Sequence, residues 1–156
     1  MFPLGPGISR VRGIVSIIKQ NKGHIEISKL AEEAEEDIDD LLPLIEACKL
    51  LGFAVVDESE VRLTEKGSRL TFSNFSKLIS ESLTEVEPFK STIRIIDSRK
   101  VNTLELFGTL RSRGIILHGE DVTNDILLKK LLIRWGVRSK LINYSQESDL
   151  WSRRID

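Results

Sequence analysis

The strongest constraint on the fold lies between residues 37 and 67. Ile38, Leu41, Leu42, Ile45, Ala47, Cys48 and Leu51 recur at mostly three- and four-residue spacing, which predicts a helix over 37–51 with an apolar side. Gly52 stops it, since glycine enters the left-handed conformation that closes helices without a Cβ penalty. Two short apolar stretches follow, 53–56 and 61–63, joined by Asp57, Glu58, Ser59 and Glu60 in the pattern of a β-hairpin. Thr64-Glu65-Lys66-Gly67 then leaves the second strand and starts another helix. A helix that ends on glycine and feeds straight into a hairpin leaves few ways to arrange the elements before it.

Those elements are also legible. Ile8, Val11, Ile14, Val15, Ile17 and Ile18 predict a first helix over 8–19, with Ser9 placed to cap it. Residues 21–23 break it, and Ile25 and Ile27 mark a minor strand over 24–27. Ser28 is expected to cap a short helix carrying Leu30, Ala31 and Ala34, with Glu32 near its start, where the helix dipole favours an anion. Helix, short strand, helix, helix, hairpin is the order of a winged helix.

The remainder repeats the theme. Phe72, Phe75, Leu78, Ile79 and Leu83 predict an amphipathic helix over 71–86, and Pro88 separates it from a helical stretch over 89–97. Leu104, Leu106, Phe107 and Leu110 place another over 103–113. A last helix over 122–135 sets Ile126, Leu128, Leu131, Leu132 and Trp135 opposite Asp125, Lys129, Lys130 and Arg134. Residues 140–144 and 149–151 flank 145–148 as a small hairpin. The expected fold is therefore mainly α with short β-hairpins (α+β), built as two winged-helix-like units. Residues 1–87 form the first, with acidic second and third helices; residues 88–156 form the second, which is more basic.

Charge separates the units. Seven of the nine residues from 32 to 40 are carboxylates, and the net charge of −1 for the 156-residue chain conceals this. Residues 20–60 hold three Lys or Arg against twelve Asp or Glu, whereas residues 88–156 hold thirteen against eight. Non-specific DNA affinity comes from cations that neutralise phosphates, so the helix that would enter the major groove of DNA starts on a surface that phosphates repel. Leu41, Leu44, Ile45 and Leu51 can pack inward and leave Glu32, Glu36, Asp39 and Asp40 for a partner protein with basic groups. The second unit has the opposite charge: Lys129, Lys130 and Arg134, followed by Arg138 and Lys140, fall where phosphate contacts of a winged helix would lie.

Enzyme signatures are missing from the sequence. There is no G-x-x-x-x-G-K-[ST] loop, no G-x-G-x-x-G opening a helix and no H-E-x-x-H. His24 and His118 have no Cys or His at ligand spacing, so no metal is expected. A contiguous carboxylate run gives its members one shared environment, unlike the two environments that acid–base pairs need. No catalytic residue and no cofactor are expected. The one cysteine, Cys48, sits among apolar neighbours and fits a buried thiol in a reducing, cytoplasmic compartment. The apolar runs at 126–128 and 131–133 are far shorter than the roughly 20 residues of a membrane span, so no membrane insertion is expected. Residues 1–7, with Pro3, Gly5, Pro6 and Gly7, read as a loose leader rather than a secretory signal.

Two blocks of the sequence carry a family resemblance. Leu41-Leu42-Pro43-Leu44-Ile45-Glu46-Ala47-Cys48-Lys49-Leu50-Leu51-Gly52-Phe53, followed by Val61-Arg62-Leu63-Thr64-Glu65-Lys66-Gly67, resembles the AAA-associated C-terminal domain, found at the end of ATP-binding subunits of nitrate/sulfonate/bicarbonate-type ABC importers. Trp135-Gly136, with Leu141 and Tyr144 behind it, is similar to that family's second landmark. Val137 and Arg138 follow where the family tends to place Arg directly after Gly, so no role is carried over to that arginine. The resemblance spans roughly residues 10–150 and implies an accessory, non-catalytic domain that regulates or scaffolds a transporter ATPase. The chain has no phosphate loop or ABC signature, so the expected partner is a separate ABC ATP-binding subunit at the inner face of the membrane, and self-association is a second expectation. The alternative function is a winged-helix transcriptional regulator that binds DNA through the basic C-terminal half.

Overall fold

The computed structural model describes residues 2–3, 6–115 and 125–154. Mainly α architecture with two small antiparallel sheets is what it shows. The chain divides into two compact units, Gly5–Leu78 and Ile79–Asp156, with Met1–Leu4 belonging to the second. The division falls inside one helix, α5 (Phe75–Leu83).

The first unit runs α1 (Ile8–Gln20), β1 (His24–Glu26), α2 (Ile27–Ala34), α3 (Ile38–Leu50), β2 (Ala54–Asp57), β3 (Glu60–Leu63) and α4 (Glu65–Ser68). Its sheet has the order β1-β3-β2, with Ile25 opposite Val61 and Val56 opposite the same Val61 from the other side. Buried Val11, Ile14, Val15 and Ile18 of α1, Leu30 of α2, Leu41, Leu44 and Ile45 of α3, and Phe53 make the core. At about 25 cal/mol per Å² of apolar surface, these aliphatic side chains supply most of the folding free energy of the unit.

The reason for the Leu-Thr-x-x-Gly sequence is visible after β3. Thr64 caps α4: its hydroxyl accepts from the Gly67 N–H at 3.0 Å and donates to the Gly52 carbonyl at 2.6 Å. The Thr64 N–H donates to the Phe53 carbonyl at 3.0 Å. Gly67 is packed so tightly that a Cβ there would lie 2.0 Å from that same carbonyl oxygen. One threonine and one glycine thus tie the end of the hairpin to the end of α3.

Several local expectations are corrected. Ser9 does not cap α1, whose N-cap is Gly7. Ser28 does not cap α2 either; the helix begins at Ile27 behind Glu26, because Ile27 N–H is taken by the Ser59 carbonyl at 2.8 Å and the chain turns there. Glu32 consequently lies in the C-terminal half of α2, where the dipole does not favour an anion. The hairpin turn is shorter than expected, since Asp57 and Glu60 pair and Glu58 adopts a φ of +57°. Phe72 fits the apolar helix face expected over 71–86, yet it is 82% exposed. Thr71 and Asn74 explain this: the Thr71 N–H donates to Asn74 Oδ1 at 2.7 Å and the Asn74 N–H to Thr71 Oγ1 at 3.3 Å, a reciprocal cap that starts the helix late and turns Phe72 outward.

The second unit runs α6 (Phe89–Ile96), α7 (Thr103–Ser112), α8 (Asp125–Leu131), a π-helix (Leu132–Val137), β4 (Ile142–Ser145) and β5 (Leu150–Arg153). Glu87, one residue before the N-cap Pro88 of α6, accepts from the Ser91 N–H at 2.7 Å, and Asn102 caps α7 through the Glu105 N–H at 2.8 Å. Val101 forms a single antiparallel bridge with Trp151 of β5, just as β1 pairs with β3 in the first unit. Both units therefore share one element order: helix, short extended segment, helix, helix, hairpin. Trp135 and Trp151 are fully buried, and Gly136 lets Ile142 approach, since a Cβ there would be 2.7 Å from Ile142 Cδ1.

Residues 1–7 are not loose where they are described. Phe2 is 1% exposed and meets the Phe89 and Trp135 rings edge-on at 5.3 and 4.9 Å. Ile126, assigned to the apolar side of its helix, is 60% exposed. The expected start of that helix at 122–124 and His118 lie outside the described residues, as do Leu4 and Gly5 of the leader. Among the described residues no helix is long and apolar enough to cross a membrane.

Candidate functional site

The turn between α2 and α3 gathers the carboxylates. Glu35 sits there in the left-handed conformation, at φ +55°, and allows the chain to reverse within three residues. Asp39 and Asp40 occupy the first turn of α3, both exposed, where unsatisfied N–H groups and the helix dipole favour negative charge. Glu32 is exposed on α2. Glu36 is different: it is half-buried and forms an ion pair with Arg10 of α1 at 2.5 Å, so it fastens the turn to α1. Glu33 has a similar structural tie, accepting from Asn21 Nδ2 at 3.0 Å. Of the four predicted contact residues, Glu32, Asp39 and Asp40 are presented outward and Glu36 is engaged within the unit.

The sequence reading missed the apolar part of this surface. Ile38 and Leu42 belong to the apolar recurrence of the helix, but each is 46% exposed. Their four-residue spacing puts them on one side of α3, at the margin of the stripe of buried Leu41, Leu44, Ile45 and Cys48. The helical phase gave little signal, since Ile38 is three and seven residues from buried Leu41 and Ile45 and so falls in step with them. The acidic surface is therefore amphipathic rather than uniformly polar.

The predicted basic residues occupy α8 and the elements that follow it. Lys129 is half-buried and its ammonium lies 5.1 Å from the Tyr144 ring centre, which carries α8 onto the hairpin. Lys130, Arg134, Arg138 and Lys140 are exposed; Arg134 belongs to the π-helix, and Lys140 closes the turn with a φ of +66°. Behind them runs a polar chain that sequence reasoning did not find. Trp151 Nε1 donates to Thr103 Oγ1 at 2.9 Å, which donates to Asp149 Oδ1 at 2.5 Å, and Tyr144 donates to the same oxygen at 2.7 Å. The Thr103 and Tyr144 hydroxyls hold the Asp149 carboxyl below its ordinary pKa. These residues are 46 and 5 positions from Asp149 in the chain, and no local pattern joins them.

His24 is exposed on β1, with Nδ1 3.6 Å from Glu60 Oε2. Cys48 is 1% exposed, and burial pushes its thiol pKa up to about 12, so it stays protonated at neutral pH. Among the described residues, no group of three or more His, Cys, Asp or Glu could hold a metal ion.

No curated protein and no solved structure matches the chain. A family model does: the C-terminal AAA-associated domain matches residues 28–145. That span holds both landmarks, the helix-to-hairpin block with its Thr64 cap and the Trp135-Gly136 pair, and covers well over half of the 156 residues. The chain belongs to the C-terminal AAA-associated domain family.

Proposed function

We propose that this chain is a non-catalytic regulatory or docking module that acts on an ABC transporter ATP-binding subunit, through a winged-helix scaffold whose third helix faces a protein instead of DNA. One observation carries the reading: α3, which would be the reading helix of a winged helix, exposes Asp39, Asp40, Ile38 and Leu42. A carboxylate pair beside two half-exposed aliphatic side chains repels phosphate and suits a protein surface with basic groups around an apolar patch. Family membership supports the ATPase as partner, and the two-unit order of elements supports the winged-helix reading. The test is the ATP turnover of the organism's ABC ATP-binding subunits, measured with and without the full chain. A change that saturates with chain concentration, and that D39N/D40N abolishes, is expected; turnover unchanged for every subunit removes the regulatory role.

A second reading rests on the exposed cations of the other unit. Lys130, Arg138 and Lys140 lie beside a hairpin in the same element order, the arrangement that places cations on phosphates in DNA-binding winged helices. Salt-dependent retention of duplex DNA in a mobility shift, lost in K129E/K130E/R134E, favours it over the first.

A further inference from the structure

A second surface of the first unit matches the acidic side of α3. Between α1 and the segment that leads into α5 lies an open groove of about 470 Å³. Its α1 wall presents Ser9, Arg12, Gly13, Ser16 and Lys19, which recur at three- and four-residue spacing and so share one side of the helix. No Asp or Glu lines it, although the unit holds thirteen acidic residues against ten basic ones. Arg12 is stacked over the Phe72 ring at 4.8 Å and lies 5.8 Å from that of Phe75, with no carboxylate among the described residues to pair it. Lys19 donates to the Leu70 carbonyl and likewise has no carboxylate partner among the described residues. Two cations are thus fixed in a groove floored by small residues, with Phe72 standing 82% exposed at the lip.

The spacing is what identifies the occupant. Arg12 and Lys19 are seven residues apart on α1, about 10 Å along the axis. On α3, Asp39 and Glu46 are also seven residues apart, on the same side as Leu42 and next to Ile38. Both helices have 13 residues. Gly13 has nothing within 4 Å of a built Cβ, so an incoming helix can come close there. Glu46 is itself paired with Lys49 on that side of α3 at 3.4 Å, a surface pair that Lys19 of a second copy would replace. Laid on each other, the two surfaces set Asp39 and Glu46 against Arg12 and Lys19 and put Leu42 over Gly13 and Ser16, with Ile38 just beyond the Asp39 end of the contact.

We propose that the α1 groove of one copy receives the α3 surface of a second copy, so that the chain self-associates through its first unit. The inference rests on the reading of α3 as a protein-docking surface and names a partner for it. Charged groups across such a contact fix register and exclude wrong partners, and Leu42 over the glycine supplies the dehydrated centre.

Charge exchange tests this. Sedimentation of the full chain from about 5 µM to about 500 µM is expected to show concentration-dependent association that weakens as salt rises. R12E/K19E and D39K/E46K, each checked for native circular dichroism, should each be monomeric, with dissociation constants raised at least about tenfold. Mixed in equal amounts they should associate again, because each reversed groove then meets a reversed α3. Gly13→Trp, which fills the groove at an open, exposed position, should also leave the chain monomeric. A wild-type chain that stays monomeric throughout, or association that ignores both reversals, overturns the proposal. A monomeric chain that nevertheless binds an ATP-binding subunit through Asp39 and Asp40 overturns only the self-contact and leaves the docking reading standing.

Discussion

Replacing Gly67 by alanine sets a Cβ 2.0 Å from the Phe53 carbonyl oxygen and 2.9 Å from its carbon. Real Cβ atoms do not come within 3.0 Å of such neighbours, so backbone must retreat by 1 Å or more. The carbonyl has no easy way to do so. It accepts the Thr64 N–H at 3.0 Å, and the ring of Phe53 is fully buried. Overpacking of a rigid site costs about 1–3 kcal/mol, and losing the backbone bond about 1 kcal/mol more. Alanine returns up to about 1 kcal/mol through helix propensity. A net loss of about 1–3 kcal/mol follows, which at a urea m-value near 2 kcal/mol per M lowers the midpoint by about 0.5–1.5 M. Urea unfolding followed by far-ultraviolet circular dichroism measures it, with Gly13→Ala as the control. Gly13 lies in α1 with open space around it, so alanine there should stabilise by about 0.5–1 kcal/mol. A Gly67→Ala midpoint equal to wild type, or a shift of both variants in one direction, refutes the account of how Thr64 and Gly67 close the hairpin.

Four further outcomes follow from the same structure. Asp149→Ala removes the acceptor of Thr103 and Tyr144 and should cost about 2–3 kcal/mol, read by tryptophan fluorescence because Trp151 donates to Thr103. Because the folded carboxyl of Asp149 titrates below its unfolded value near 4, its contribution is full above about pH 4 and is lost as pH falls through the folded pKa; Asp149→Asn should flatten that part of the acid-unfolding curve. Thr92→Val should raise thermal stability by about 1 kcal/mol, since the Thr92 hydroxyl is buried with no hydrogen-bond partner among the described residues; a loss would mean that the hydroxyl is satisfied. Cys48 should react with a thiol reagent only at the rate of unfolding, in step with denaturant, and fast labelling in buffer would contradict its burial.

Much of this fold was legible because its rules are local. The three- and four-residue recurrence in α1 and α3, the glycine at position 52 and the Thr64-x-x-Gly67 closure each express a constraint within a few residues. What escaped was set by groups distant in sequence or by competing local bonds. The Thr71–Asn74 cap overrides the apolar phase that would bury Phe72. The Ser59 carbonyl, 32 positions away, decides where α2 begins, which leaves Glu32 at the wrong end for the dipole. The Val101–Trp151 bridge and the Thr103–Asp149 bond join residues that no window of sequence contains together. For the candidate surface, residue type was legible and orientation was not: Glu32, Asp39 and Asp40 face outward, while Glu36 is paired with Arg10. The aliphatic half of that surface, Ile38 and Leu42, was hidden because an apolar residue in a helix is ordinarily read as core.

The central claim is that the acidic side of α3 binds protein. Its most direct test is the affinity of the immobilised full chain for ABC ATP-binding subunits, compared across wild type, E32Q/D39N/D40N and K129E/K130E/R134E. Neutralising the acidic side should raise the dissociation constant at least about tenfold, while reversal of the α8 cations leaves it unchanged. Equal affinities for wild type and the acidic variant, or no subunit bound at about 100 µM, would contradict the claim.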